Sequence, residues 1–97
     1  MDLDKRDLQE VNSYIEKVSE KYIEEIHNIL QSKNMSAEVK NEEAYKILKK
    51  FIEVESINFR RFYFKTISID ESSLTKHNDN MEAIFQQYLK RIILNSR

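Results

Sequence analysis

The chain has 97 residues and a formal net charge of −1, with 40% apolar and 34% charged residues. That balance predicts a folded chain with a strongly charged surface and argues against a disordered one. Glycine and cysteine are both absent, which excludes glycine-rich phosphate loops, disulfides, thiolate zinc sites and cysteine nucleophiles.

The first 25 residues are acidic, with eight acidic against four basic side chains, and they lack the apolar run of a secretory signal. No stretch approaches the ~18 apolar residues that a membrane span needs. The absence of cysteine also fits a reducing compartment. We therefore expect a cytoplasmic protein that forms a single domain over residues 1–97 and has no membrane span.

Residues 4 to about 32 are predicted to form one long amphipathic helix. Apolar side chains recur along it at three- and four-residue spacing, at Leu8, Val11, Ile15, Val18, Tyr22, Ile26 and Ile29. Tyr14, Ile23 and Leu30 widen this stripe, which favours a helical bundle over a two-stranded coiled coil. Asp4 is the predicted N-cap, and Asn34 is predicted to end the helix in the left-handed conformation.

A second helix is predicted from about residue 37 to about residue 68, with Ser36 as its N-cap. The short polar segment before it makes the two helices antiparallel neighbours. Glu55 interrupts the main apolar stripe of this helix, which consists of Ala44, Leu48, Phe51, Phe59 and Phe62. From Phe51 onward apolar residues surround the helix, as expected when neighbours cover it on several sides.

Two alternatives remain open for this second segment. Residues 62–69 are rich in aromatic and β-branched side chains, so a β-strand competes with helix there. A break near Ser56 and Asn58 would instead divide the helix and give a compact fold of four helices. We favour the helical interpretation of residues 62–69, because the chain offers no partner for a single strand.

The third helix is predicted over residues 80 to about 95, after a loop at residues 70–79. Asp79 and Glu82 match a capping box at its start. Its apolar stripe is Met81, Ile84 or Phe85, Tyr88, Leu89 and Ile92. The predicted fold class is therefore all-α, a long antiparallel helical hairpin plus a shorter third helix.

A third helix of this length covers only half of the hairpin. We expect it to lie beside residues 51–69 and to leave the other half, near the turn, without a third cover. Uncovered apolar surface commonly marks a site of association. The predicted partner-binding residues are therefore Ile26, Ile29, Leu30, Val39, Ile47 and Leu48.

No catalytic or metal-binding constellation is visible in the sequence. Glu24 and His27 form one Glu-x-x-His pair, whereas helical di-iron sites need two such pairs and two further carboxylates. His77 lies close to Ser72 and Ser73 in sequence, but proximity in a loop does not supply an oriented base and an oxyanion hole. We predict no enzyme activity, no catalytic residue, no metal and no cofactor.

Arg60, Arg61 and Lys65 interleave with aromatic residues and are predicted to bind an anion. The anion is either nucleic acid or the acidic first helix of the same chain, and the near-neutral net charge does not favour nucleic acid. The predicted function is a small non-enzymatic protein–protein interaction module of the regulator, inhibitor, chaperone or immunity type. It would bind a protein partner or associate with itself, and nucleic-acid binding is the alternative.

Overall fold

Three helices make up the described part of the chain, and the second changes its winding partway along. The computed structural model describes residues 5–96. Helix α1 spans Lys5–Leu30. A continuous second helix over residues 37–66 consists of α2 (Ala37–Lys50), a π-helical turn (Phe51–Glu55) and α3 (Ser56–Thr66). A 3₁₀ turn, Glu71–Ser73, leads into α4 (Leu74–Asn95), and the predicted all-α fold is confirmed.

The first and second helices form an antiparallel hairpin. Near the start of α1, Tyr14 stacks on Phe62 near the end of the second helix, with ring centroids 4.2 Å apart. Further along α1, Tyr22 meets Phe51, which lies earlier in the second helix, at 5.1 Å. Helix α4 packs against α1 and α3. The resulting molecule is elongated, with extents of 52 × 20 × 17 Å.

The π turn aligns two phenylalanines that a regular helix would direct to different sides. Phe51 and Phe59 are eight residues apart, and an α-helix advances by two turns plus about 80° over that distance. A π turn, with i→i+5 hydrogen bonds, winds the chain less per residue and removes this excess. Both rings are consequently buried, and both contact Phe85 of α4, at centroid distances of 4.9 and 6.0 Å.

Buried apolar side chains from α1, the π turn, α3 and α4, and Ile67 after α3, form the core, and α2 contributes none. They are Val11, Ile15, Tyr22, Ile26, Phe51, Phe59, Tyr63, Ile67, Met81, Phe85, Tyr88 and Ile92. Ser19 is also fully buried, and its hydroxyl donates to the Glu16 carbonyl oxygen at 2.8 Å, so no hydrogen-bonding group is lost. The stripes predicted for the first and third helices therefore face the core over most of their length, but Leu8 is exposed and Ile29 is half-buried.

The predicted start of the third helix is wrong, because residues 70–79 are not a loop. Asp70 accepts hydrogen bonds from the Ser73 amide at 3.1 Å and the Ser73 hydroxyl at 2.6 Å, which initiates the 3₁₀ turn. Helix α4 begins directly afterwards at Leu74. Asp79 therefore lies within the helix and not at its N-cap. With 22 residues, α4 is about 33 Å long.

The connection between the first two helices confirms one predicted cap and corrects another. Ser36 is the N-cap of α2, and its hydroxyl oxygen accepts from the Val39 amide. Asn34 does not adopt the left-handed conformation, since no described residue has positive φ. Residues 31–36 are long enough to reverse the chain without it. The other predicted cap, Asp4, lies outside the described residues.

Neither alternative for the second segment is formed. The chain is helical as far as Thr66, two residues short of the predicted end, and Ile67 is extended but pairs with no strand among residues 5–96. The helix also continues through Ser56 and Asn58. The winding changes directly before Ser56, so the irregularity is a π turn within one helix and not a break between two.

Phe51→Ala should lower the free energy of unfolding by about 3–5 kcal/mol, because a fully buried ring is replaced by a cavity. As a control, Ile57→Ala removes a side chain that is 53% exposed and should cost less than about 1 kcal/mol. Urea unfolding followed by circular dichroism measures both values. Equal losses in the two variants would contradict the assignment of Phe51 to the centre of the core.

Candidate interaction surface

The turn end of the hairpin, meaning residues 23–30 of α1 and all of α2, carries the six predicted partner-binding residues. None of the 14 residues of α2 is buried. Four of the six predicted residues are half-buried: Ile29, Leu30, Ile47 and Leu48. Val39 is exposed, whereas Ile26 belongs to the core. The surface that a partner can reach therefore lies mainly on α2.

Three apolar residues of the second helix form what we call the apolar stripe: Tyr45, Leu48 and Ile52. Their spacing of three and four residues places them on one helix face. Tyr45 is 64% exposed and Ile52 is 43% exposed. Neither residue was among those predicted, because the main periodic pattern of the helix runs through Ala44, Leu48 and Phe51. Their spacing from Leu48 is the signal in the sequence that marks them.

The apolar stripe ends at a groove between the second helix and α4. The groove has a volume of about 410 Å³, and Ile52 is one of the residues that line it. The other lining residues are Ser56, Ile57, Phe59, Arg60, Met81, Glu82, Phe85 and Gln86. Ile52 therefore joins the exposed side of α2 to a concave, partly apolar region, and the two form one continuous surface.

The predicted anion-binding residues Arg60, Arg61 and Lys65 are all exposed on α3. Among the described residues none of them lies within 4 Å of a carboxylate, so pairing with the acidic first helix is not formed. Arg61 and Lys65 are four residues apart and share a face, and Arg60 instead borders the groove beside α4. The structure thus presents two adjacent cations and a third on another side.

The aromatic residues around these cations are engaged inside the protein. Phe59 and Tyr63 are buried, and Phe62 is stacked on Tyr14. Phe64 packs edge-on against Tyr63, with centroids 5.7 Å apart. Base stacking, which supplies much of the binding energy for single-stranded nucleic acid, has no exposed ring here.

A polar cluster lies beside the π turn, at the edge of the core. The Tyr22 hydroxyl donates to Glu55 Oε1 at 3.3 Å, and Asn58 Nδ2 donates to the same oxygen at 3.4 Å. Burial, and then the negative charge of Glu55, raise the pKa of Tyr22 to about 12. A phenol with a raised pKa stays protonated at neutral pH, so this cluster has the properties of a structural contact.

The two histidines occupy different environments. His77 is buried in α4, and its Nδ1 lies 2.8 Å from the Tyr63 hydroxyl. The hydroxyls of Ser72 and Ser73 donate to Asp70, so their hydrogen bonds are made away from the histidine ring. His27 is exposed in the last turn of α1. Burial also raises the pKa of Tyr63.

Two other kinds of feature are absent from residues 5–96. No group of three or more histidine or carboxylate side chains lies close enough there to hold a metal ion. Within the same residues, no helix has both the length and the apolar character required to cross a membrane.

Comparison with known proteins finds no matching protein-family model, no significantly similar curated protein and no significantly similar solved structure.

The raised pKa of Tyr22 predicts a loss of stability at alkaline pH. Because the folded state disfavours the phenolate, this stabilisation is complete below pH 10 and is lost as the pH rises from 10.0 towards about 12. Tyr22→Phe should be about 1 kcal/mol less stable than the wild type near neutral pH, since one hydrogen bond is lost. The two unfolding free energies should then converge between about pH 10 and pH 12.

Urea unfolding at a series of pH values tests this expectation. The range from about pH 7 to pH 9 serves as an internal control, because the difference between the two proteins should be constant there. A difference that stays constant up to about pH 12 would contradict the assigned role of the Tyr22 hydroxyl.

Proposed function

We propose that this chain is a non-enzymatic, helical protein-interaction module that binds a protein partner or a second copy of itself through the turn end of the hairpin. The supporting observation is the unequal burial of the helices. Helices α1 and α4 each bury five residues, whereas α2 buries none. The module we propose is of the regulator, inhibitor, chaperone or immunity type, which acts by binding another protein. The compartment we propose is the cytoplasm.

The apolar stripe is the physical basis of this proposal. Exposed apolar surface that is continuous along a helix is characteristic of association sites, since its removal from water stabilises a complex by about 25 cal/mol per Å². Tyrosine is enriched at interfaces because its ring supplies a large contact area and its hydroxyl tolerates water. Tyr45, at 64% exposure, is the most exposed residue of the stripe and fits the role of such an anchor.

Photo-cross-linking tests the proposal directly. The full chain is expressed in its native host with a photo-reactive amino acid at position 45 or, in a second variant, at position 52. Each variant should give covalent adducts of discrete mass. The matched control is position 87 on α4, where Gln87 is also exposed but lies away from the apolar stripe. Absence of adducts at positions 45 and 52, or the same adducts at position 87, would overturn the proposed function.

Nucleic-acid binding is the alternative function, and one observation favours it: among residues 5–96, no carboxylate lies within 4 Å of the three cations of α3. We expect no binding of labelled single-stranded RNA at about 0.15 M salt. Two adjacent cations make few phosphate contacts, and no exposed ring beside them adds base stacking. Fluorescence anisotropy measures this. Binding that persists at that salt concentration and is lost in Arg61→Ala would favour the alternative.

A further inference from the structure

We infer that the partner of the apolar stripe is a second copy of this chain, with the two α2 helices packed antiparallel about a two-fold axis close to Tyr45. This inference rests on the proposed function, because it names the partner of the same surface. A symmetric dimer of this kind requires a self-complementary patch, in which each half of the patch faces the other half in the second copy. Helix α2 has that property in its charges.

Charge divides α2 into two halves. Its first half contains Glu38, Glu42 and Glu43 with one lysine, Lys40, whereas its second half contains only basic charges, at Lys46, Lys49 and Lys50. An antiparallel arrangement places the acidic half of each helix against the basic half of the other. A parallel arrangement would set like charges opposite each other, so the gradient selects the orientation.

The register follows from the residues that flank the stripe. Glu42 lies three residues before Tyr45 and Lys49 lies four residues after it, so both border the same helix face. With the axis beside Tyr45, Glu42 of each copy faces Lys49 of the other. Two such pairs then flank an apolar centre formed by Tyr45 and Leu48 of both copies.

Both charges are available for these contacts. Glu42 has no carboxylate–cation pair within 4 Å among the described residues, and Lys49 Nζ lies 3.9 Å from Glu53 Oε1 in an exposed pair. Exposed pairs of this kind contribute little, so exchanging one for a contact across an interface costs little. The charge gradient also complements the dipole of α2, which stabilises the helix within a single chain. Reversal of single charges separates this effect from contacts between two copies.

The size of the surface predicts a reversible dimer. Residues 37–52 extend over only about 24 Å of helix. One helix face of that length buries less surface than the interfaces of most stable protein complexes. We therefore expect monomer and dimer to exchange, with the dimer fraction rising as the concentration of the full chain is raised. Sedimentation equilibrium measures the dissociation constant.

Charge reversal gives the decisive comparison. Glu42→Lys and Lys49→Glu should each weaken dimerisation by about tenfold, because every attractive pair becomes a repulsive one. An equimolar mixture of the two variants should regain wild-type affinity as a heterodimer, in which both pairs are again attractive. Glu10→Lys and Lys17→Glu on α1 are matched controls with the same spacing of seven residues, and they should leave association unchanged.

Tyr45→Asp supplies an independent test of the apolar centre and should abolish the dimer while circular dichroism shows unchanged helicity. A wild-type chain that stays monomeric at all concentrations would overturn this inference. So would a dimer that is insensitive to the two charge reversals, or a mixture that shows no preference for the heterodimer.

These outcomes are distinct from failure of the proposed function. Adducts from position 45 with a different protein, together with a monomeric chain, would leave the interaction module intact and remove only the second copy as its partner. Absence of any adduct at positions 45 and 52 would remove both.

Discussion

Contact of Phe51 and Phe59 with Phe85 fixes how the three helices meet, and it depends on the π turn in the second helix. Regular α-helical winding would separate Phe51 from Phe59 by about 80° around the axis, and the two rings could not both face α4. The turn gives up regular hydrogen bonding over five residues. Burial of two aromatic rings, each worth on the order of 2–3 kcal/mol, offsets that loss.

The position of the π turn also divides the second helix into a part that contributes to the core and a part that does not. On one side α3 contributes Phe59 and Tyr63 to the core and packs against α4. On the other side α2 contacts only α1 closely and buries no side chain. The hairpin therefore has one half with three helical layers and another half with two. The apolar stripe begins on the thinner half, where no third helix covers it, and for this reason we propose a second α2 as its partner.

Periodicity was enough to predict most of the fold but not its irregular points. The stripe of α1 keeps a spacing of three and four residues, so its extent and buried face follow from the sequence. Glu55 broke the corresponding stripe in the second helix, and only the π turn shows that Phe51 and Phe59 nonetheless share a side. The start of α4 was missed because Asp70 and Asp79 are both good caps, and the choice between them depends on hydrogen bonds with Ser73. Tyr45 was missed because it lies beside the main stripe, although its spacing of three residues from Leu48 places both on one helix face.

Tyr22 and His77 make their hydrogen bonds inside the protein, whereas the ion pairs of α2, such as Lys46 with Glu43, are exposed. The Tyr22 hydroxyl is hydrogen-bonded to Glu55, and the His77 ring is hydrogen-bonded to Tyr63. Such pairs stabilise the folded chain only while both members are present, and changing one alters folding and surface together. Tyr45 on α2 is exposed, so a substitution there tests the proposed association without disturbing the core. A substitution at Ile26, which is buried, cannot separate the two effects.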